Sequence, residues 1–183
     1  MKKHCFALLL LFFLFHTHTT AQVLKQDTAT QKYTVREVIP CDTALTQQQI
    51  YEACRQWAMR TFKSSDNNVM LDDKTYSEII TSGAVKTSDM PIALCAISNC
   101  TVDFKLIIQV KPGKIRCTID NIVHYGTNTC SNPPSRMTTP LEQWNQKTKL
   151  TKNVFADIET KLVALVKDLK ATVTQPAKPK DDW

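Results

Sequence analysis

Apolar and polar positions alternate most strictly in the middle of the chain. Val102, Phe104, Leu106, Ile108 and Val110 fall on one face of an extended segment, and Thr101, Asp103, Lys105 and Gln109 fall on the other. The alternation resumes after Gly113, with Ile115, Cys117 and Ile119 facing one way and Lys114, Arg116, Thr118 and Asp120 the other. A period of two with one apolar face predicts a half-buried antiparallel hairpin. Matching the faces sets its register. Lys111 opposite Lys114 puts Ile108 opposite Cys117, Leu106 opposite Ile119 and Lys105 opposite Asp120, the last as an ion pair. L-proline at position 112 cannot take the positive φ that two-residue hairpin turns require at their first central position. A loop wider than Pro112 and Gly113 is therefore left open.

Other periods place the remaining elements. Residues 33–39 alternate, with Tyr33, Val35 and Glu37 on one face, then change phase at Val38 and Ile39, and Pro40 stops the strand. Thr46 followed by Gln49 forms a capping box, and Ile50, Ala53, Cys54, Trp57, Thr61 and Phe62 recur at helical spacing over residues 47–63. Trp57 sits on the inward stripe and is read as core. Short strands are expected at 68–71 and 76–85 around the polar turn Asp72, Asp73 and Lys74, with a loop at 86–91. The apolar run 92–97 reads as a short strand leading into the hairpin.

Residues 126–138 read as a polar loop. Thr139, Pro140 and Glu142 then give a helix-start signal. The stripe Val154, Phe155, Ile158, Leu162, Leu165, Val166 and Leu169 marks a second helix, either unbroken from Pro140 or restarting near Thr151. The order strand, helix, strands, helix predicts an α+β fold. An antiparallel sheet of about five strands carries two helices on one face and leaves the other to water. The single domain is placed at residues 32–171, after a polar leader at 22–31 and before a disordered tail at 172–183.

The N-terminus changes the accounting. Lys2 and Lys3, an apolar block at residues 6–15 and Thr19, Thr20 and Ala21 make the three parts of a secretory signal, with cleavage expected after Ala21. The apolar block is too short to span a hydrocarbon core of about 30 Å, and no later segment is long and apolar enough to do so. The expected product is exported, periplasmic or extracellular. Cleavage leaves 162 of the 183 residues and lowers the formal charge from +6 to +4, spread without a basic run. Three of the four histidines leave with the signal, so His124 alone remains, and the cysteines fall from seven to six.

Six cysteines in an oxidising compartment allow fifteen complete pairings, and their spacing selects none. Cys95 and Cys100 are carried as a candidate disulfide. No C-x-x-C pair or Cys/His cluster suggests a metal or redox centre, and no glycine-rich loop suggests a phosphate cradle. His124, at the end of a predicted strand, is read as a surface or edge residue and not a base. Asp72 with Asp73, and Asp181 with Asp182, are read as solvated acids. No cofactor is expected.

The segment QIYEACRQWAMRTFKSS, followed by FKLIIQVKPGKIRCTIDNIVHYG, resembles a family of exported bacterial proteins. That family is a domain of unknown function with a TATA-binding-protein-like fold. The likeness covers roughly residues 33–169. It is most specific in the W-x4-F end of the first helix and in the K-x-R-x-x-I-x-N strand. It implies the same strand–helix–strands–helix architecture and brings no catalytic residues. The chain departs from the usual pattern in its extra cysteines, in Pro112 and in an insertion-like segment around residues 86–99.

Two functional readings follow. One is a non-enzymatic binding or accessory module of the cell envelope, acting on an unknown protein or ligand through the open sheet face, a sheet edge or the 86–99 segment. The other is a hydrolase or thiol enzyme assembled from Cys95, Cys100, His124 or scattered acids. The lack of clustered chemistry favours the first. Nucleic acid is not expected as a partner, because the predicted open face mixes both charges and the chain is exported. Asp181, Asp182 and Trp183 form a candidate C-terminal recognition tag.

Overall fold

The computed structural model describes residues 24–62, 71–92, 94–144 and 146–174. The expected N-terminal signal, residues 68–70 of the strand expected at 68–71 and the acidic-aromatic residues 181–183 lie outside them. The described residues form β1 (Leu24–Gln26), β2 (Tyr33–Pro40), α1 (Gln47–Thr61), β3 (Leu71–Asp73), β4 (Glu78–Lys86), β5 (Met90–Ile92), β6 (Cys95–Lys111), β7 (Lys114–Asn128), β8 (Ser135–Pro140) and α2 (Lys149–Thr174). All strand pairs are antiparallel. The main path runs β1-β2-β7-β6-β4-β3, with β5 added to β6 and β8 to β7.

The central hairpin keeps the register that face-matching predicts. Lys111 pairs with Lys114, Ile108 with Cys117, Leu106 with Ile119 and Lys105 with Asp120. Lys105 and Asp120 face each other without closing into an ion pair. The turn is the two residues Pro112 and Gly113, with Gly113 at φ +71°. Proline first and a positive-φ glycine second is the type II pattern, so the objection to Pro112 does not hold. The positive φ falls on the residue without a Cβ.

One face of the sheet is dry. Val35, Ile39, Ile79, Val102, Leu106, Ile108, Ile115, Cys117 and Ile119 are buried beneath the helices. From α1, Ile50, Cys54, Trp57 and Ala58 meet this face; from α2, Val154, Ile158, Leu162, Val166 and Leu169 do. The capping box forms as expected: the Thr46 hydroxyl accepts from the Gln49 backbone N–H, and the Gln49 side chain accepts from the Thr46 N–H. Trp57 joins the helices by donating its indole N–H to Asp168 at 2.7 Å. Its ring meets Phe62 edge-on at 5.7 Å. That contact accounts for the W-x4-F spacing at the helix end.

Several expectations need correction. The segment read as a polar leader supplies β1, with Leu24 buried and its N–H donating to Glu159. In β2 the phase does not change. Glu37 shares the inward face with Val35 and Ile39, reaching Lys170 at 3.7 Å, while Val38 turns outward and is 56% exposed. The segment read as a loop at 126–138 is largely strand, because β7 runs to Asn128 and β8 covers its edge. Pro140 ends β8 and precedes a single turn, Leu141–Gln143, so the long helix restarts at Lys149. It continues to Thr174, past the expected start of the tail.

Candidate binding pocket on the open sheet face

Strand register gathers the site. Val38 on β2 pairs with Arg116 on β7, Arg116 with Gln109 on β6, and Gln109 with Glu78 on β4. These four side chains form one row across the uncovered face. Toward the hairpin turn, Lys111 and Lys114 make the next row on the same face, and the pair between them, Val110 and Ile115, points into the core. Here the face sinks into a pocket of about 420 Å³, walled by these two rows and by Tyr76.

Tyr76 is presented on a pinned turn. The Asp73 carboxylate accepts from the backbone N–H groups of Thr75 and Tyr76. Ser77 is held at both ends of its residue: its carbonyl accepts from the Val110 N–H at 2.9 Å, and its hydroxyl accepts from the Gln47 amide at 3.0 Å. The same amide donates to the Val110 carbonyl. The Tyr76 ring is nonetheless 78% exposed. An exposed aromatic on a fixed backbone loses little further backbone freedom on contact, which suits it to recognition.

Below Tyr76, a brace ties β3 to α1. Asp72 receives the Tyr51 phenol on one oxygen and the Arg55 guanidinium, at 2.6 Å, on the other. The Tyr51 hydrogen bond, then the Arg55 bond and charge, hold the Asp72 carboxyl below its usual range. Burial, then the Asp72 carboxylate, pushes the Tyr51 phenol up. The solvated reading of Asp72 is therefore corrected: both oxygens are occupied, and the group ties the turn to α1.

The electrostatics of the open face are polar end to end. The pocket carries Lys111, Lys114 and Arg116 against one acid, Glu78, whose carboxylate accepts from Gln109 at 2.9 Å. Among the described residues none of these three cations is in an ion pair. Arg36 extends the basic area one row further, beside Thr118. Toward the far end of the same strands lie Asp120 and Asp103, with Arg136 stacked over Tyr125 at 5.0 Å. Partial burial raises the Asp103 carboxyl above its ordinary value, against the lowering pull of Arg136.

The thiols and the histidine do not converge into a reactive centre. Cys95 is bonded to Cys130, not to Cys100. Ala96 and Thr129 exchange hydrogen bonds across β6 and the end of β7, which sets Cys95 opposite Cys130. Cys100 lies beyond an irregularity at Asn99 (φ +53°) that turns its side chain into the core. Cys41, Cys54, Cys100 and Cys117 are free and buried. Burial pushes all four thiols up, Cys54 and Cys117 to about 12, the opposite of what a nucleophilic cysteine needs.

His124 is also not the surface residue expected. It is 1% exposed, because β8 covers its strand, and it packs edge-on against Trp144 at 4.9 Å. Its Nε2 and the Trp144 Nε1 are buried without a hydrogen-bond partner. Among the described residues no group of three or more His, Cys, Asp and Glu side chains is arranged to hold a metal ion. No helix among them is long and apolar enough to cross a membrane.

A family model described as "Domain of unknown function (DUF4468) with TBP-like fold" matches residues 33–125, just over half of the chain. The chain belongs to this family. Two solved structures share the fold. A TBP-like protein from Parabacteroides distasonis ATCC 8503 superposes with a TM-score of 0.67 at 13% identity, covering 82% of this chain and 97% of its own. A DUF4468 family protein from Bacteroides ovatus ATCC 8483 gives 0.58 at 16% identity, covering 85% and 95%. No curated protein matches the chain. The DUF4468 match runs from β2 into β7 and contains every pocket residue named above. Within it, the K-x-R-x-x-I-x-N strand has a divided role. Lys114 and Arg116 face the pocket, Ile119 enters the core, and Asn121 takes a left-handed conformation (φ +50°) just before β7 re-registers against β6.

Proposed function

We propose that this DUF4468 protein is an exported binding module of the cell envelope, without catalytic activity of its own. It holds an anionic ligand with an apolar or aromatic group in the pocket at the hairpin end of the open face. The signal pattern of residues 1–21 supports export, with cleavage near Ala21 leaving a chain that begins at Gln22. The observation that carries the binding role is the pairing row Val38–Arg116–Gln109–Glu78 with Lys111 and Lys114 beside it. Cations with no ion-pair partner among the described residues surround an exposed aromatic and an exposed valine on a rigid sheet. Charge-assisted contacts to an anion would orient such a ligand, and Tyr76 and Val38 would cover its apolar part.

The experiment places a photoreactive phenylalanine analogue at position 76 and irradiates cells. The result expected is a discrete adduct in the envelope fraction, strongly reduced when Lys114→Glu and Arg116→Glu are combined. An adduct indifferent to both charge reversals, or none, overturns the pocket as the site. N-terminal sequencing of the mature chain tests export independently.

A further inference from the structure

The four pocket side chains nearest the hairpin turn stand at the corners of one rectangle. Lys111 and Lys114 close the turn as directly paired residues, and Gln109 pairs with Arg116 one row further along. The closing pair of a two-residue hairpin has its Cα atoms about 5.5 Å apart. Next-but-one residues on a strand lie about 7 Å apart. All four side chains are exposed on the open face. We infer that this rectangle is the seat of a phosphate monoester, its phosphoryl group on Lys111, Lys114 and Arg116 and its organic group toward Tyr76 and Val38. The inference rests on the binding reading above and names the chemical class of the anion.

Charge decides between anions. Like charges directly opposite each other on paired strands repel, and the tight turn at Pro112 and Gly113 keeps Lys111 and Lys114 from separating. Arg116 adds a third cation beside Lys114. The acid of the pocket, Glu78, does not relieve them. It accepts from Gln109, which stands between it and Arg116 in the pairing row. Three cations against one acid leave a formal +2. A carboxylate brings one charge and two coplanar oxygens, so it leaves a cation over. A phosphate monoester brings a charge of about −1.5 to −2 at neutral pH and three terminal oxygens, one for each cation.

Reach and size agree with this. Each corner lies about 4.5 Å from the centre of the rectangle, less than the length of a lysine or arginine side chain, so all three cationic heads meet one oxyanion above it. The cavity of about 420 Å³ is far larger than a phosphoryl group. Its remaining walls are Tyr76 and Val38, which an ester covers and free phosphate leaves bare.

The test titrates the mature chain by calorimetry at neutral pH with phenyl phosphate, phenyl sulfate, benzoate and inorganic phosphate. Phenyl sulfate has the same tetrahedral head with one charge fewer, so it isolates the contribution of the dianion. Phenyl phosphate should bind about tenfold more tightly than the sulfate or benzoate, the worth of one more hydrogen bond between charged groups. It should also bind several-fold more tightly than inorganic phosphate. Lys114→Gln should weaken phenyl phosphate by about tenfold. The same change should raise the denaturation midpoint of the ligand-free chain, because it removes the repulsion from Lys111. Equal affinity for the four anions, no binding of phenyl phosphate at millimolar concentration, or unchanged binding by Lys114→Gln overturns the inference.

Vesicles distinguish the sources of the ester. Neutral vesicles doped with phosphatidic acid, a monoester, displace phenyl phosphate where the ligand is a lipid headgroup and leave it bound where the ligand is a soluble ester; both results uphold the phosphoryl seat. Equal displacement by phosphatidylglycerol, a diester, would show charge attraction alone and overturns it. The position-76 crosslink separates this failure from failure of the pocket. An envelope adduct that still requires Lys114 and Arg116 leaves the binding site standing with a different anion.

Discussion

The indole N–H of Trp57 donates to the carboxylate of Asp168 at 2.7 Å, a polar link between the two helices. Trp57 is 1% exposed, so its N–H has no water to turn to. Replacing Asp168 by Ala strands that donor in the core. A buried donor left unsatisfied costs about 1–3 kcal/mol. We expect Asp168→Ala to lower the unfolding free energy by that amount, read as a lower urea midpoint at an unchanged m-value, and Asp168→Asn, which keeps an acceptor, to recover most of the loss. Equal loss in both variants would show that the carboxylate charge, and not the hydrogen bond, joins the helices.

Gly83 lies where an aromatic cluster crosses the sheet. A Cβ there would stand 2.6 Å from Phe62 Cε1 and 2.7 Å from the Phe104 ring, while Phe62 and Phe104 meet edge-on at 6.2 Å. Gly83→Ala therefore requires both rings to move, and overpacking of this kind costs about 1–3 kcal/mol. Combining it with Phe62→Leu should cost less than the sum of the two single changes, since the leucine gives up the space. Additive losses in the double-mutant cycle would place the strain elsewhere.

Burial holds His124 below its ordinary pKa, so the folded chain binds its proton less readily than the unfolded chain does. Between the folded value and about 6.5 the unfolded state carries more protons, and stability falls as pH falls. Above about 6.5 the group contributes no slope. The slope of unfolding free energy cannot exceed about 1.4 kcal/mol per pH unit for one proton. Among the described residues His124 is the sole histidine, and the lowered Asp72 carboxyl titrates only below its ordinary 3.8. His124→Phe, which keeps the ring packing on Trp144, should flatten the stability curve between pH 7 and pH 5. A slope that survives the substitution would trace it to another group.

How much of this was legible in the chain depends on how local the signal is. The hairpin register could be read because two long strands share a period of two and a short turn fixes their offset. The capping box at Thr46 and Gln49 could be read because its two partners are three residues apart. β8 could not: Ser135, Arg136, Thr138 and Thr139 show no apolar alternation, since an edge strand over β7 buries little. The phase of β2 breaks from its sequence pattern only after Glu37: the apolar pair Val38 and Ile39 suggests a change of face, but Glu37 stays inward with Val35 and Ile39, where it reaches Lys170, and Val38 turns outward. The pocket was invisible for a different reason. Val38, Tyr76, Gln109 and Arg116 are unremarkable exposed positions in sequence, and only pairing across four strands makes them neighbours. The disulfide needed the same long-range information, because the pairing of Ala96 with Thr129 brings Cys95 to Cys130.

That disulfide gives the last prediction. Cys95 and Cys130 are 35 residues apart, and closing a loop of this length removes unfolded-state entropy worth about 3–4 kcal/mol in the chain-entropy model. The other four described cysteines are buried thiols whose burial suppresses the thiolate. Native protein should therefore resist alkylation at all six described positions, and denatured but unreduced protein should take up four labels among them. Mass mapping should leave the 95–130 crosslink as the sole unlabelled pair. Cys95→Ala with Cys130→Ala should lower the denaturation midpoint while leaving the four-label pattern intact. A fast-reacting thiol in the native protein would revive the thiol-enzyme reading, and a fully oxidised set would mean that the buried thiols of the core pair with one another.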